Sequence, residues 1–136
     1  PPITFTYEGQ IMSGVRMFEL SMFSAEVSAS VSGPKDEVLQ QCKGKKIIFH
    51  ILWPGYEEHL ESPIDVDSAG SLTRLQLGKI IAERYSRFMA THIYAPCSNP
   101  EWKFGPLPAN IKFKQLYLIS LKNIYANAWQ AEVAVD

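Results

Sequence analysis

The spacing of apolar and polar positions changes several times along the chain, and each change marks an expected element. Ile3 to Tyr7 and Met17 to Phe23 read as strands. From Glu26 to Ser32, Val27, Ala29 and Val31 alternate with Ser28, Ser30 and Ser32, the period of two expected where one sheet face is buried. Gly33-Pro34 then opens a segment with acids at its start and Lys43-Gly44 at its end, an asymmetry that predicts a short helix near 35–43. Lys46 to Trp53 is almost unbroken apolar sequence, which predicts a central strand covered on both faces. Pro54-Gly55 ends it, and Tyr56 to Asp67 follows as a second strand. The most regular stretch covers 74–92. Thr73 and Gln76 make a capping-box pattern there, and Leu77, Ile80, Ile81, Tyr85, Phe88 and Met89 share one helical face. Four prolines between Tyr94 and Asn110 predict a long irregular loop, which in a small domain often carries function. Strands return at Ile111 to Ile124 and at Ala128 to Val135, the last with the one-sided alternation expected of an edge. The sum is an α+β domain, one mostly antiparallel sheet packed on a principal helix.

Length and composition narrow this further. The 136 residues suffice for one domain, 1–136, and 46% hydrophobic with 20% charged residues excludes a disordered chain. Thirteen Lys and Arg against fourteen Asp and Glu leave a net charge of -1, so any contact with nucleic acid must be local. No apolar run approaches the roughly 20 residues of a membrane span. Neither a charged leader nor an apolar signal core opens the sequence, so the expected setting is cytoplasmic, with Cys42 and Cys97 reduced and the chain a monomer.

Charge is unevenly placed. Between Tyr56 and Asp67 stand Glu57, Glu58, Glu61, Asp65 and Asp67 with no Lys or Arg, whereas Lys103, Lys112, Lys114 and Lys122 occupy a stretch without an acid. These are either solvated faces of opposite sign or a carboxylate site flanked by phosphate-binding lysines. Asp65 and Asp67 project from the same side of an extended strand. They are placed either to share a hard divalent cation, magnesium or zinc, or to cap the turn into the helix. A calcium loop is excluded, because Ala69 and Gln76 stand where that pattern needs an oxygen ligand and a glutamate. Arg74, a cation in the first turn of a helix, opposes the macrodipole, so it predicts a carboxylate partner in Asp65 or Asp67. His50 in the apolar strand, His59 across the expected hairpin and His92 at the helix end are each core residues or proton carriers. Trp53, Tyr56, Trp102 and Phe104 are candidates for stacking on bases or for anchoring loops.

The segments Ile51 to Tyr56, Leu72 to Gly78 and Asn127 to Glu132 resemble those of small proteins from mushroom-forming fungi. The Asp-x-Asp pair before the helix is similar to that of the ribotoxin-like proteins of the ageritin type. This resemblance implies a ribosome-inactivating ribonuclease acting on the sarcin-ricin loop of large ribosomal RNA, with RNA rather than DNA as partner. On that basis Asp65 and Asp67 hold the divalent ion, Arg74 neutralises developing charge, and His50 or His59 moves the proton. Arginine occupies the place of that family's histidine. Trp53 and Tyr56 would contact bases, and Lys112 and Lys114 the backbone. A second chemistry, removal of one adenine from the same loop with Glu57 or Glu58 supporting the cationic sugar, stands beside it. So does a non-catalytic module that binds a protein partner.

Overall fold

The expected helix over 74–92 forms with those bounds, as α3 (Arg74–His92), in a computed structural model that describes residues 2–10, 14–22, 24–42, 45–66 and 72–136. Its capping box is complete: the Thr73 hydroxyl accepts from the Gln76 N–H, and the Gln76 side chain accepts from the Thr73 N–H. Leu75, Leu77, Gly78, Ile81, Ala82, Tyr85, Phe88 and Met89 are buried along one side. Full burial of side chains such as Leu77 and Ile81 contributes about 1.5–3 kcal/mol each, which holds the helix against its sheet.

The described strands are β1 (Ile3–Thr4), β2 (Val15–Arg16), β3 (Lys46–Ile51), β4 (Leu60–Asp65), β5 (Leu116–Tyr125) and β6 (Ala128–Val135). They lie in the order β1-β5-β6-β3-β4, with β2 also paired to β5. Every pairing is antiparallel except β3 with β6, so the α+β architecture holds and the sheet is mixed. Ile47, Phe49 and Ile51 of β3 point into the core, and Phe49 meets Tyr85 of α3 edge-on at 6.0 Å.

The structure corrects several expectations. Residues expected as strands after Arg16 form two short helices, α1 (Met17–Met22) and α2 (Ala25–Ser30). Met17 and Leu20 are buried one turn apart in α1, and the Ser24 hydroxyl caps α2 by accepting the Val27 N–H at 3.2 Å. The serine alternation is incidental, because Val27 and Val31, four residues apart, are the buried pair while Ala29 is exposed. The helix expected at 35–43 is absent among its described residues apart from one 3-10 turn at Gln40–Cys42. The carbonyls of Pro34 and Asp36 accept instead from the N–H groups of Leu75 and Arg74 at 3.0 and 2.8 Å, so this segment satisfies the start of α3 rather than itself. Leu39, with φ 56°, also breaks any helical run.

The second strand of the apolar hairpin starts at Leu60 rather than Tyr56, and β3 alternates buried with half-buried positions rather than being covered on both faces. β6 is interior, between β5 and β3, not an edge. Alternation reports which sheet face is wet, not how many neighbours a strand has. β4 is the strand at that end of the sheet, and it carries Pro63 together with a carbonyl and a Ser62 hydroxyl that accept from Arg84 of α3.

Two predictions follow from the packing of α1 and the N-terminal strand against α3. A Cβ at Gly78 would stand 3.1 Å from Leu20 and 3.2 Å from Phe5, so Gly78→Val is expected to lower the urea midpoint by the equivalent of about 1–3 kcal/mol. Tyr7 donates to Glu19 and accepts the Arg16 N–H; burial above all, with the Glu19 carboxylate adding, pushes its hydroxyl up to about 12. Burial raises Tyr85 in the same direction. A native state that holds these protons longer than the unfolded chain keeps its full stability below about pH 10. That stability is lost as pH rises from there through about 12. Urea midpoints measured across that range are expected to fall, and less steeply in Tyr7→Phe.

Candidate functional site

β3 runs into Leu52-Trp53-Pro54-Gly55, and the chain turns at Gly55 with φ 93°. Only glycine fits this turn, since a Cβ would lie 2.5 Å from the Cys97 sulfur and 2.8 Å from the Asn99 nitrogen. Hydrogen bonds fasten the proline-rich segment onto the turn. Trp53 Nε1 donates to the Trp102 carbonyl at 2.7 Å, the Phe104 N–H donates to the Tyr56 hydroxyl at 2.9 Å, and the Ser98 N–H donates to the Gly55 carbonyl at 2.8 Å. Burial raises Tyr56 above the usual tyrosine range, the Phe104 N–H opposes that shift, and the nearby Cys97 thiol adds to it.

Between this loop and the last turn of α3 lies an open cleft of about 370 Å³, with Tyr56, Glu57, Glu58, Thr91, His92 and Ser98 among its walls. His92 is buried, tilted against Phe88 at 4.2 Å and edge-on to Tyr56 at 6.0 Å between ring centres. Its Nδ1 lies 2.9 Å from the Phe88 carbonyl and its Nε2 lies 3.3 Å from the Glu58 carboxylate. Both ring nitrogens thus face oxygen atoms, one of the backbone and one of a side chain. The Glu58 side chain is 84% exposed, so one carboxylate links the sealed imidazole to the solvent of the cleft. Two carboxylates and the negative end of the α3 macrodipole make this a place that favours positive charge.

Among the described residues, those singled out in the sequence do not gather into one site. Asp65 is a 78%-exposed side chain at the end of β4, 3.9 Å from the Lys46 amine opposite it, and Asp67 lies outside the described residues. The described carboxylate alone forms no ion cradle, and among the described residues no three His, Cys, Asp or Glu side chains converge as a metal site. His50 faces Glu61 at 3.7 Å, four positions along the ladder from Asp65, which is roughly 13 Å at the rise of a strand. His59 is exposed in the segment before β4.

Arg74 has a different partner from the one expected. Its Nη1 donates to Asp36 at 2.8 Å and to the Gly33 carbonyl at 2.9 Å, and its Nε donates to the Thr4 carbonyl at 3.0 Å. It ties β1 and the 33–36 turn to α3. Trp53 and Tyr56 are sealed rather than presented to a base: Trp53 is ringed by Tyr85, Trp102 and Phe104, and Tyr56 stacks on Phe104 at 4.9 Å. The Lys112 amine donates to the carbonyls of Leu107 and Asn110, while the Lys114 amine sits 4.9 Å above the Phe18 ring.

The pairing of His92 with Glu58 is the feature that motif reasoning passed over. Its trace in the sequence is that the apolar face of α3 runs on through Tyr85 and Phe88 to position 92, where a buried histidine needs a partner. No family model, no curated protein and no solved structure matches the chain.

Arg74→Ala is expected to destabilise the fold by about 2 kcal/mol, because two backbone carbonyls and a carboxylate lose a charged donor. Chemical denaturation measures this. Unchanged stability alongside lost activity would instead mark Arg74 as a group acting on substrate.

Proposed function

We propose that the protein is a ribosome-inactivating protein acting on the sarcin-ricin loop, and that its chemistry is removal of an adenine rather than metal-assisted cleavage of the backbone. The resemblance to mushroom ribotoxin-like proteins supplies the class of target. The observation that carries the choice of chemistry is the acid-lined cleft at the C-terminal end of α3, with Glu58 held 3.3 Å from His92.

Breaking the bond between C1′ of the ribose and the base places positive charge on the sugar ring, which nearby carboxylates and the helix end stabilise. Phosphoryl transfer gathers negative charge instead and calls for cations, and no Lys or Arg stands among the described residues that line this cleft. In the proposed step the base departs with the bonding electron pair and takes a proton from solvent, to which Glu58 afterwards returns the proton that it receives from the attacking water, so that the carboxylate is regenerated. Water adds to C1′ from the side of Glu58, and Glu58 receives the water's proton. His92 is the positioning residue. Fixed by the Phe88 carbonyl, it holds the otherwise mobile Glu58 carboxylate at the cleft wall.

The test is incubation of purified protein with ribosomes, with and without EDTA and with and without aniline, followed by an RNA gel. A fragment that appears only after aniline and survives EDTA is the expected result, and Glu58→Gln is expected to slow its appearance by on the order of a hundredfold. A fragment released without aniline and lost on chelation would overturn the proposal in favour of a metal-assisted ribonuclease at Asp65 and Asp67. Intact ribosomal RNA under all conditions would leave a non-catalytic interaction module.

A further inference from the structure

Apart from the acidic cleft, a hollow of about 290 Å³ lies along a stripe of α3 that runs through Met89 and Ala90 to Ile93, a spacing of three and four that keeps these side chains on one face. Its facing wall is the end of the proline-rich segment, with Phe104, Ile111 and Phe113. That wall is fixed. Phe104 is buried and stacked on Tyr56 at 4.9 Å, the Ile111 N–H donates to the Lys103 carbonyl at 2.8 Å, and the Gly105 N–H donates to the Ile111 carbonyl at 3.3 Å. Among the described residues of the lining, Ser86 and Lys112 bring the only polar side chains. A hollow of this composition, open to water, gains by taking up an apolar chain in place of solvent.

Lys112 adds a charge whose sign selects the ligand. Its amine donates to the carbonyls of Leu107 and Asn110 at 2.9 and 3.1 Å, and the second of these belongs to the peptide bond that enters the wall residue Ile111. Its backbone is held as well, the Lys112 N–H donating to the Gln115 side chain at 2.8 Å. An ammonium has three protons, so one remains for a ligand. Neutral carbonyls fix the amine without cancelling its charge, no ion pair among the described residues includes it, and no Asp or Glu occurs in the sequence between Glu101 and Glu132. A bare hydrocarbon would make no use of this charge, and a small inorganic anion would make no use of the hollow. We infer that the hollow binds a single aliphatic chain with a carboxylate head, a medium-chain carboxylate, its tail against α3 and its head on the loop side at Lys112. The volume stands at the lower end of the roughly 300–1,000 Å³ of ligand pockets, so one free chain fits it rather than the paired tails of a bilayer lipid.

Calorimetric titration of the purified chain with sodium decanoate, kept below the concentration at which it forms micelles, is expected to show saturable binding of one molecule per chain. Hexanoate is expected to bind about tenfold or more weakly, because fewer methylenes leave water. Decylamine hydrochloride, equal in length and opposite in sign, is expected to bind about tenfold or more weakly as well, because its head meets the Lys112 charge. Ala90→Trp fills the hollow from an exposed position on α3. It is expected to lower decanoate affinity about tenfold while the urea midpoint stays at the wild-type value. Lys112→Met is expected to lose about tenfold in decanoate affinity and to erase the preference over decylamine, and Lys112→Arg to keep both. Should Lys112→Met unfold, the comparison of decanoate with decylamine on the wild type still decides the role of the charge. Absence of saturable decanoate binding, equal affinity for decanoate and decylamine, or unchanged affinity in Ala90→Trp would each overturn the site. So would sedimentation of the wild type with phosphatidylglycerol vesicles that decanoate competes away, since the ligand would then be a membrane lipid rather than a free chain.

Discussion

Fastening the proline-rich segment over Trp53 and Tyr56 is the interaction on which the candidate site depends. The hydrogen bonds from Trp53 Nε1 to the Trp102 carbonyl and from the Phe104 N–H to the Tyr56 hydroxyl join residues almost fifty positions apart. Each leaves a buried polar group unsatisfied if broken, a cost of about 1–3 kcal/mol. Around them Trp53, Tyr56, Tyr85, Phe88, Trp102 and Phe104 form one continuous set of edge-on and stacked rings. That set ends at His92, which takes the last place in it as an aromatic ring and also turns a nitrogen to Glu58. The cleft is therefore what remains when a rigid aromatic floor meets a turn that only Gly55 can make.

The sign of the charge in this cleft limits its chemistry more than its shape does. A space of about 370 Å³ admits a nucleobase with its sugar or many other small groups. Glu57, Glu58 and the carbonyl end of α3 all act in one direction, raising the cost of an anion and lowering that of a cation. His92 lies in the same field, with its ring nitrogens turned to the Phe88 carbonyl and the Glu58 carboxylate.

How much of this was legible in the sequence differs by element, and the differences have physical causes. α3 was legible to the residue because its signals are local: a capping box at Thr73 and an apolar stripe at a spacing of three and four. α1 and α2 were not, because in segments of six residues a period of two and a period near 3.6 are hard to tell apart, and Val27 with Val31 fits either. The short helix expected near 35–43 is missing among its described residues, apart from the 3-10 turn at Gln40–Cys42, for a different reason. Its end signals were sound for an isolated peptide, but the first N–H groups of α3 compete for its carbonyls, and that competition arises only in the fold. The same holds for Arg74. Its need for a carboxylate was readable, whereas the choice of Asp36 over Asp65 depends on a chain reversal that places residues 38 positions apart side by side. For the candidate site, the acidic run around Glu57 and Glu58 was visible, and its partner was not, because nothing in the spacing of a glutamate and a histidine 34 residues apart announces a contact.

The two carboxylate sites considered for this chain lie at the two ends of one strand, Glu58 just before β4 and Asp65 at its last residue. Asp65 ends the strand that leads toward the start of α3, and Glu58 pairs with the residue that ends it. The strand between them, Leu60 to Asp65, is extended over roughly 17 Å, more than one nucleotide covers, so the two chemistries are alternatives rather than parts of one mechanism. The helix also distinguishes them electrostatically. At its N-terminus the orphan N–H groups that would draw a phosphate are partly spent, two of them on the Pro34 and Asp36 carbonyls and one on the Thr73 hydroxyl. At its C-terminus the last carbonyls reinforce two carboxylates and a buried imidazole. An enzyme that stabilises a cationic sugar gains from that end of the dipole, whereas one that stabilises a phosphorane is opposed by it, and this asymmetry of the backbone underlies the assignment to the C-terminal cleft.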